Sequence, residues 1–233
     1  MTRRLSAILV LSALLLLVAA PTDLPAHDVT TGDRGYIQAI LGVHLIPFAY
    51  LGAKHMVTGY DHLLFLLGVI FFLYRLKDIG LYVTLFAVGH STTLLVGVVA
   101  GVGVNSHLVD AIIGLSVVYK ALDNLGAYPR FFGFQPDARA ATLVFGLFHG
   151  LGLATKIIDF EMANEGLIAN LVAFNVGVEI GQVLALSAIL VVMTHWRQTR
   201  SFLRHAAAAN IAIMAAGVAL IAFQLAGFFG GAG

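Results

Sequence analysis

Long apolar runs of roughly 16 to 25 residues recur along the chain, separated by short polar connections that hold most of its charge. Helices of that length cross a hydrocarbon core of about 30 Å at 1.5 Å per residue, and the runs are too long for strands. The pattern predicts segments at roughly 36–54, 58–75, 81–103, 107–125, 140–157, 168–194 and 207–229. Pro47, Gly42 and Gly52 interrupt the first of these, so it reads as a short interfacial or re-entrant piece packed on the helix that follows. The expected fold class is all-α, a polytopic transmembrane helix bundle of about six spans.

The start of the chain has a different pattern. Arg3 and Arg4 precede an apolar stretch from Leu5 to Ala20, and Pro21 to Ala26 follow as a processing region. Residues 1–26 read as a signal peptide, with residues 27–233 as a single membrane domain and His27 as the new amino terminus; an uncleaved signal anchor is the alternative. Lys and Arg then set the orientation. The connections holding Arg75 and Lys77, then Lys120, Arg130 and Arg139, then Arg197, Arg200 and Arg204 carry eight of the 13 basic residues. These alternate loops are expected in the cytoplasm of a cell whose inner membrane holds the bundle, with both termini outside.

Composition agrees with a lipid environment and narrows the chemistry. Hydrophobic residues make up 60% of the chain and charged residues 11%, with a mean hydropathy of +0.94. Soluble domains carry about a quarter charged residues. The net charge of +1 without a basic block implies no nucleic-acid partner. With no cysteine, any transition-metal site must be built from His, Asp, Glu, Asn or Met.

A charge at mid-membrane costs about 2.5 to 3.5 kcal/mol on insertion scales, so each ionisable residue there calls for a partner. Five consecutive segments supply His55, Asp61 and His62; His90 with Ser91 and Thr92; Asp110; His149; and Asn175, Glu179 and Gln182. On a helix His55 and His62 share a face, and Asn175, Glu179 and Gln182 form a polar stripe. The orientation places His55, Asp61, His62 and Asp110 near the outer ends of their helices, and His90, His149 and Glu179 at mid-span. Hydrogen bonding that only specifies helix packing accounts for single polar residues. Four histidines and three carboxylates on adjacent helices point further, to a divalent ion. His55, Asp61, His62, His90, His149 and Glu179 are the candidate metal ligands; Asp110, Asn175, Gln182, Ser91 and His27 are candidates for its second layer or path. Imidazole with carboxylate suits Ni, Co, Zn or Fe, and Asp61 suits either direct ligation or the orientation of a histidine.

The stretch from His55 to His62, H-x5-D-H, resembles the signature of the HupE/UreJ proteins, membrane partners of hydrogenase and urease systems regarded as nickel or cobalt permeases. Gly89-His90-Ser91-Thr92, Phe145-Gly146-Leu147-Phe148-His149-Gly150 and Asn175-Val176-Gly177-Val178-Glu179 extend the resemblance over roughly residues 45–195. The chain departs from the hydrogenase-associated members after His149-Gly150, where Leu151-Gly152-Leu153-Ala154 replaces a second His-Gly element with its Glu. That departure is similar to a divergent branch. The resemblance implies a secondary permease or facilitator for a divalent transition metal, nickel or cobalt first, and no Walker A pattern supplies an ATP motor. An intramembrane metal-dependent enzyme using the same cluster is the alternative, as is a metal-binding accessory protein. Beyond the lipid bilayer and the metal ion, the expected partners are a second copy of the chain or a metalloenzyme maturation system.

Overall fold

The computed structural model describes residues 42–158 and 165–230. The signal peptide and His27 lie outside the described residues. Every regular element among these is helical: α1 Leu45–Thr58, α2 Tyr60–Ile70, α3 Leu76–Ala100, α4 Ser106–Asn124, α5 Ala127–Phe131, α6 Ala138–Ile158, α7 Leu167–Arg197 and α8 Arg200–Gly230. Four of them, α3, α6, α7 and α8, are long and apolar enough to cross a membrane. Only 17% of the apolar window of α8 is buried within the protein, so its apolar surface faces lipid rather than water.

Local chemistry fixes the ends of these helices. Asn105 caps α4 by accepting a hydrogen bond from the Leu108 amide at 3.2 Å, and Asp137 accepts from the Arg139 amide at 2.8 Å at the start of α6. Gly101, at φ 66°, closes α3 in the left-handed region that glycine enters freely.

Glycines also decide which helices pair, because lipid supplies no hydrophobic drive and close packing must hold the bundle together. A side chain at Gly177 would collide with the Ala49 carbonyl and one at Gly52 with the Phe174 carbonyl, which locks α1 along α7. A Cβ at Gly146 would stand 2.5 Å from the Phe86 carbonyl and one at Gly89 2.5 Å from the Leu143 carbonyl, joining α3 to α6. Gly114 and Gly217 meet in the same way between α4 and α8. The short helix α2 lies among these three pairs, touching α1, α4, α7 and α8 along its length.

Two expectations change here. The first apolar segment packs on α7 and not chiefly on the helix that follows it. It also runs parallel to α7, since Ala49 meets Gly177 and Ala53 meets Gly181. Further along, α2 brings its end to Arg197, whose guanidinium donates to the Ile70 and Phe71 carbonyls. Thus α1 and α2 follow one another down the bundle, separated by the extended Gly59 at φ −71° and ψ 107°. His55 and His62 therefore stand on two helices, near the middle of the combined path and not near its outer end.

Candidate metal centre

The break at Gly59 shapes the site. The helix is interrupted there without reversing, so the last turn of α1 delivers His55 and the first turn of α2 delivers Asp61 and His62 to the same place. Asp61 Oδ1 accepts from the His62 amide at 2.9 Å and lies 3.1 Å from His62 Nδ1. Both residues are buried. A carboxylate at Nδ1 makes that nitrogen the proton donor and leaves Nε2 with the lone pair a metal needs.

His90 joins from the middle of α3 and is completely buried. His55 is half-buried as a residue, yet its Nε2 is shut off from solvent. The rings of His55 and His62 are 5.1 Å apart and those of His62 and His90 6.2 Å apart. His55, His62 and His90 each offer one ligand atom, and these atoms lie within 4.8 Å of one another. Three nitrogens within 4.8 Å of one another, drawn from three helices, form a donor set that could hold a divalent ion of the nickel, cobalt or zinc kind.

His149 borders this group from α6. Its ring is 5.1 Å from that of His62, and its Nδ1 stands 2.7 Å from the Phe145 carbonyl, so Nδ1 is again the donor and Nε2 the acceptor. Phe86 and Phe65 flank it at ring separations of 4.9 and 5.7 Å. Toward the basic end the aromatic wall continues through Phe145 to Tyr119 and Tyr128.

The other candidates are placed differently. Glu179 is exposed on α7 beside Val172, Val176 and Val183, which are also exposed, and it is not part of the histidine group. The reason is the glycine packing: Gly177 and Gly181 hold one face of α7 against α1, and Glu179, two residues from each, falls on the opposite side of the helix. Asn175 and Gln182 are buried, and the Asn175 amide donates to the Leu171 carbonyl at 3.2 Å. Ser91 is half-buried on α3. Asp110 pairs with Lys156 at 2.8 Å between α4 and α6. Lys156 was not among the candidates, although its spacing of seven residues from His149 puts both on one helical face. Nor was Gly59, whose signal was a glycine inside the H-x5-D-H stretch.

A sequence model of the protein family described as HupE / UreJ protein matches residues 31–231. No curated protein and no solved structure matches the chain.

Proposed function

The chain belongs to the HupE/UreJ family, and from that premise we propose that it is a secondary permease or facilitator for a divalent transition metal, nickel or cobalt first, in the inner membrane of a bacterium. The observation that carries this reading is the group His55, His62 and His90, buried at mid-height among apolar helices. An imidazole cluster with an attendant carboxylate replaces the water that a divalent ion sheds on leaving solution. Asp61 keeps His62 in the ligating tautomer and supplies a negative charge beside the ion. His149 adjoins His62 and offers a further nitrogen on the way to the next helix. Phe65, Phe86 and Phe145 close the basic side, so an ion held at the triad does not meet open water there.

The same geometry favours a second reading. Transport suits ligands spread along a path, whereas an enzyme gathers three or four around one point. Three ligand atoms within 4.8 Å match the second pattern, with an intramembrane metal-dependent enzyme as its outcome. Metal content by mass spectrometry, combined with nickel and cobalt flux into proteoliposomes, separates the two. Flux that saturates with metal concentration is expected. Tight stoichiometric metal with no flux would replace the permease with the enzyme.

We also propose six crossings: the broken pair α1–α2, then α3, α4, α6, α7 and α8. The basic residues Arg75, Arg130, Arg139, Arg197 and Arg200 fall at or beside the α2–α3, α4–α6 and α7–α8 connections, which supports a cytoplasmic face there. A reporter active only outside the cytoplasm is expected to work when fused after Gly233. Activity from a cytoplasmic reporter at that position would require an even number of crossings after the last basic loop.

A further inference from the structure

On α6, Phe145, His149, Gly152 and Lys156 fall at i, i+4, i+7 and i+11 and form one stripe. The stripe faces inward along its whole length. Phe145 meets Phe65 and Tyr119, and His149 meets His62. Gly152 lies against Val109, Ile113 and Asp110 of α4, and Lys156 reaches Asp110. Asp110 and Lys156 therefore stand two turns of α6 away from His149, at the end of the bundle opposite the basic loops.

The ion pair is only half of what Asp110 offers. The residue is 6% exposed and its Oδ2 accepts from Lys156 Nζ at 2.8 Å. Oδ1 is shut off from solvent and has no hydrogen-bond partner among the described residues, whereas buried carboxylate oxygens ordinarily have one. This atom stands 3.4 Å from the place a Cβ on Gly152 would take. Glycine at 152 thus lets α6 approach Val109, Ile113 and the Asp110 carboxylate closely, three residues along from His149.

We propose that Asp110 is the outermost cation-binding group on the route to the histidine triad, held at rest by the Lys156 ammonium, which an incoming divalent cation displaces. The inference rests on the metal-permease reading and names its first binding step. Exchange needs a second place for the ammonium, and the fold provides one. Lys156 lies in the last described turn of α6, toward the end of the helix where its dipole attracts a cation. Its flexible four-carbon stem lets the head group move there. A divalent ion then brings twice the charge to the same carboxylate. Removing one partner of a merely structural buried pair leaves an uncompensated charge, and that difference makes the two roles separable.

Equilibrium nickel and cobalt binding to the purified full chain in detergent provides the first test. Lys156→Met removes the resident competitor and is expected to bind about tenfold tighter than the unaltered chain, while Asp110→Asn binds about tenfold weaker. The double variant should match Asp110→Asn, because without the carboxylate the lysine has nothing to contest. A structural pair predicts the opposite pattern, with both single variants weaker and the double variant restored. A second measurement needs no metal. The chain has no cysteine, so Ile113→Cys, whose side chain borders the space at Gly152, gives one thiol for labelling with cationic aminoethyl or anionic sulfonatoethyl methanethiosulfonate. Lys156→Met should raise the cationic-to-anionic rate ratio about tenfold, and adding Asp110→Asn should abolish that gain. Equal ratios in every background would overturn the proposal. Charge-selective labelling with no nickel or cobalt binding in any variant would support Asp110 as the cation group and remove the metal reading instead.

Discussion

His62→Ala is expected to lose nickel and cobalt binding almost entirely, and Asp61→Asn to weaken it by about 10- to 100-fold, the range found when a group that orients a metal-binding histidine is removed. His62 is the central member of the cluster, since its ring neighbours His55, His90 and His149. Its loss leaves His55 and His90 as two nitrogens where the set had three. Asp61 acts through His62. The amide that Asp61→Asn introduces still accepts from Nδ1 but carries no charge, so the ring stays oriented while its basicity falls. The expected difference between the two variants is therefore one of kind, with no measurable site in the first and a weaker one in the second. Glu179→Gln serves as the comparison, because the exposed side chain on α7 lies outside the triad and its variant should bind as the unaltered chain does. Melting temperatures of the purified proteins, taken alongside equilibrium dialysis, show that each variant is folded. Full stoichiometry in His62→Ala would remove the triad as the binding site. A loss in Glu179→Gln equal to that in Asp61→Asn would bring the exposed face of α7 into the route.

The membrane character and the identity of the triad were legible because both are set by residue type. Apolar length alone identifies α3, α6, α7 and α8, and histidines in an apolar span stand out against the cost of burying them. Depth was not legible. Reading 36–54 and 58–75 as separate elements put His55 and His62 near an outer surface, whereas α1 and α2 succeed one another past Gly59 and place both rings level with His90. A glycine in a helical pattern marks a turn, a close approach or nothing, and only the tertiary neighbours decide among these. Glu179 shows the same limit. Its spacing from Asn175 and Gln182 is that of a polar stripe, but Gly177 and Gly181 fix the buried face of α7 through their contacts with Ala49 and Ala53. The Asp110–Lys156 pair joins residues 46 apart in sequence, and no local pattern announces a contact of that separation.

Gly59→Ala is expected to weaken metal binding about as much as Asp61→Asn does, although residue 59 has no atom to offer a metal. The backbone there is extended at φ −71° and ψ 107°, a conformation open to alanine, so the requirement is for space. An added Cβ would stand 2.7 Å from His62 Nδ1, 3.0 Å from Asp61 Oδ1 and 3.1 Å from the His55 carbonyl. All three belong to the site, and the carboxylate–imidazole pair must separate to admit the methyl group. A second effect acts in the same direction. Alanine favours the helix by about 1 kcal/mol over glycine, so the substitution draws α1 and α2 toward one continuous helix and carries His55 away from His62. The cost to overall stability should stay within the about 1 to 3 kcal/mol usual for overpacking, because the glycine contacts that hold α1 to α7 and α3 to α6 lie elsewhere. Cobalt provides the readout, since its visible absorption depends on the geometry of its ligands. The variant should show a folded melting transition together with weaker binding and an altered cobalt spectrum. An unchanged spectrum at unchanged affinity would mean that the Asp61–His62 pair does not set the geometry of the bound ion.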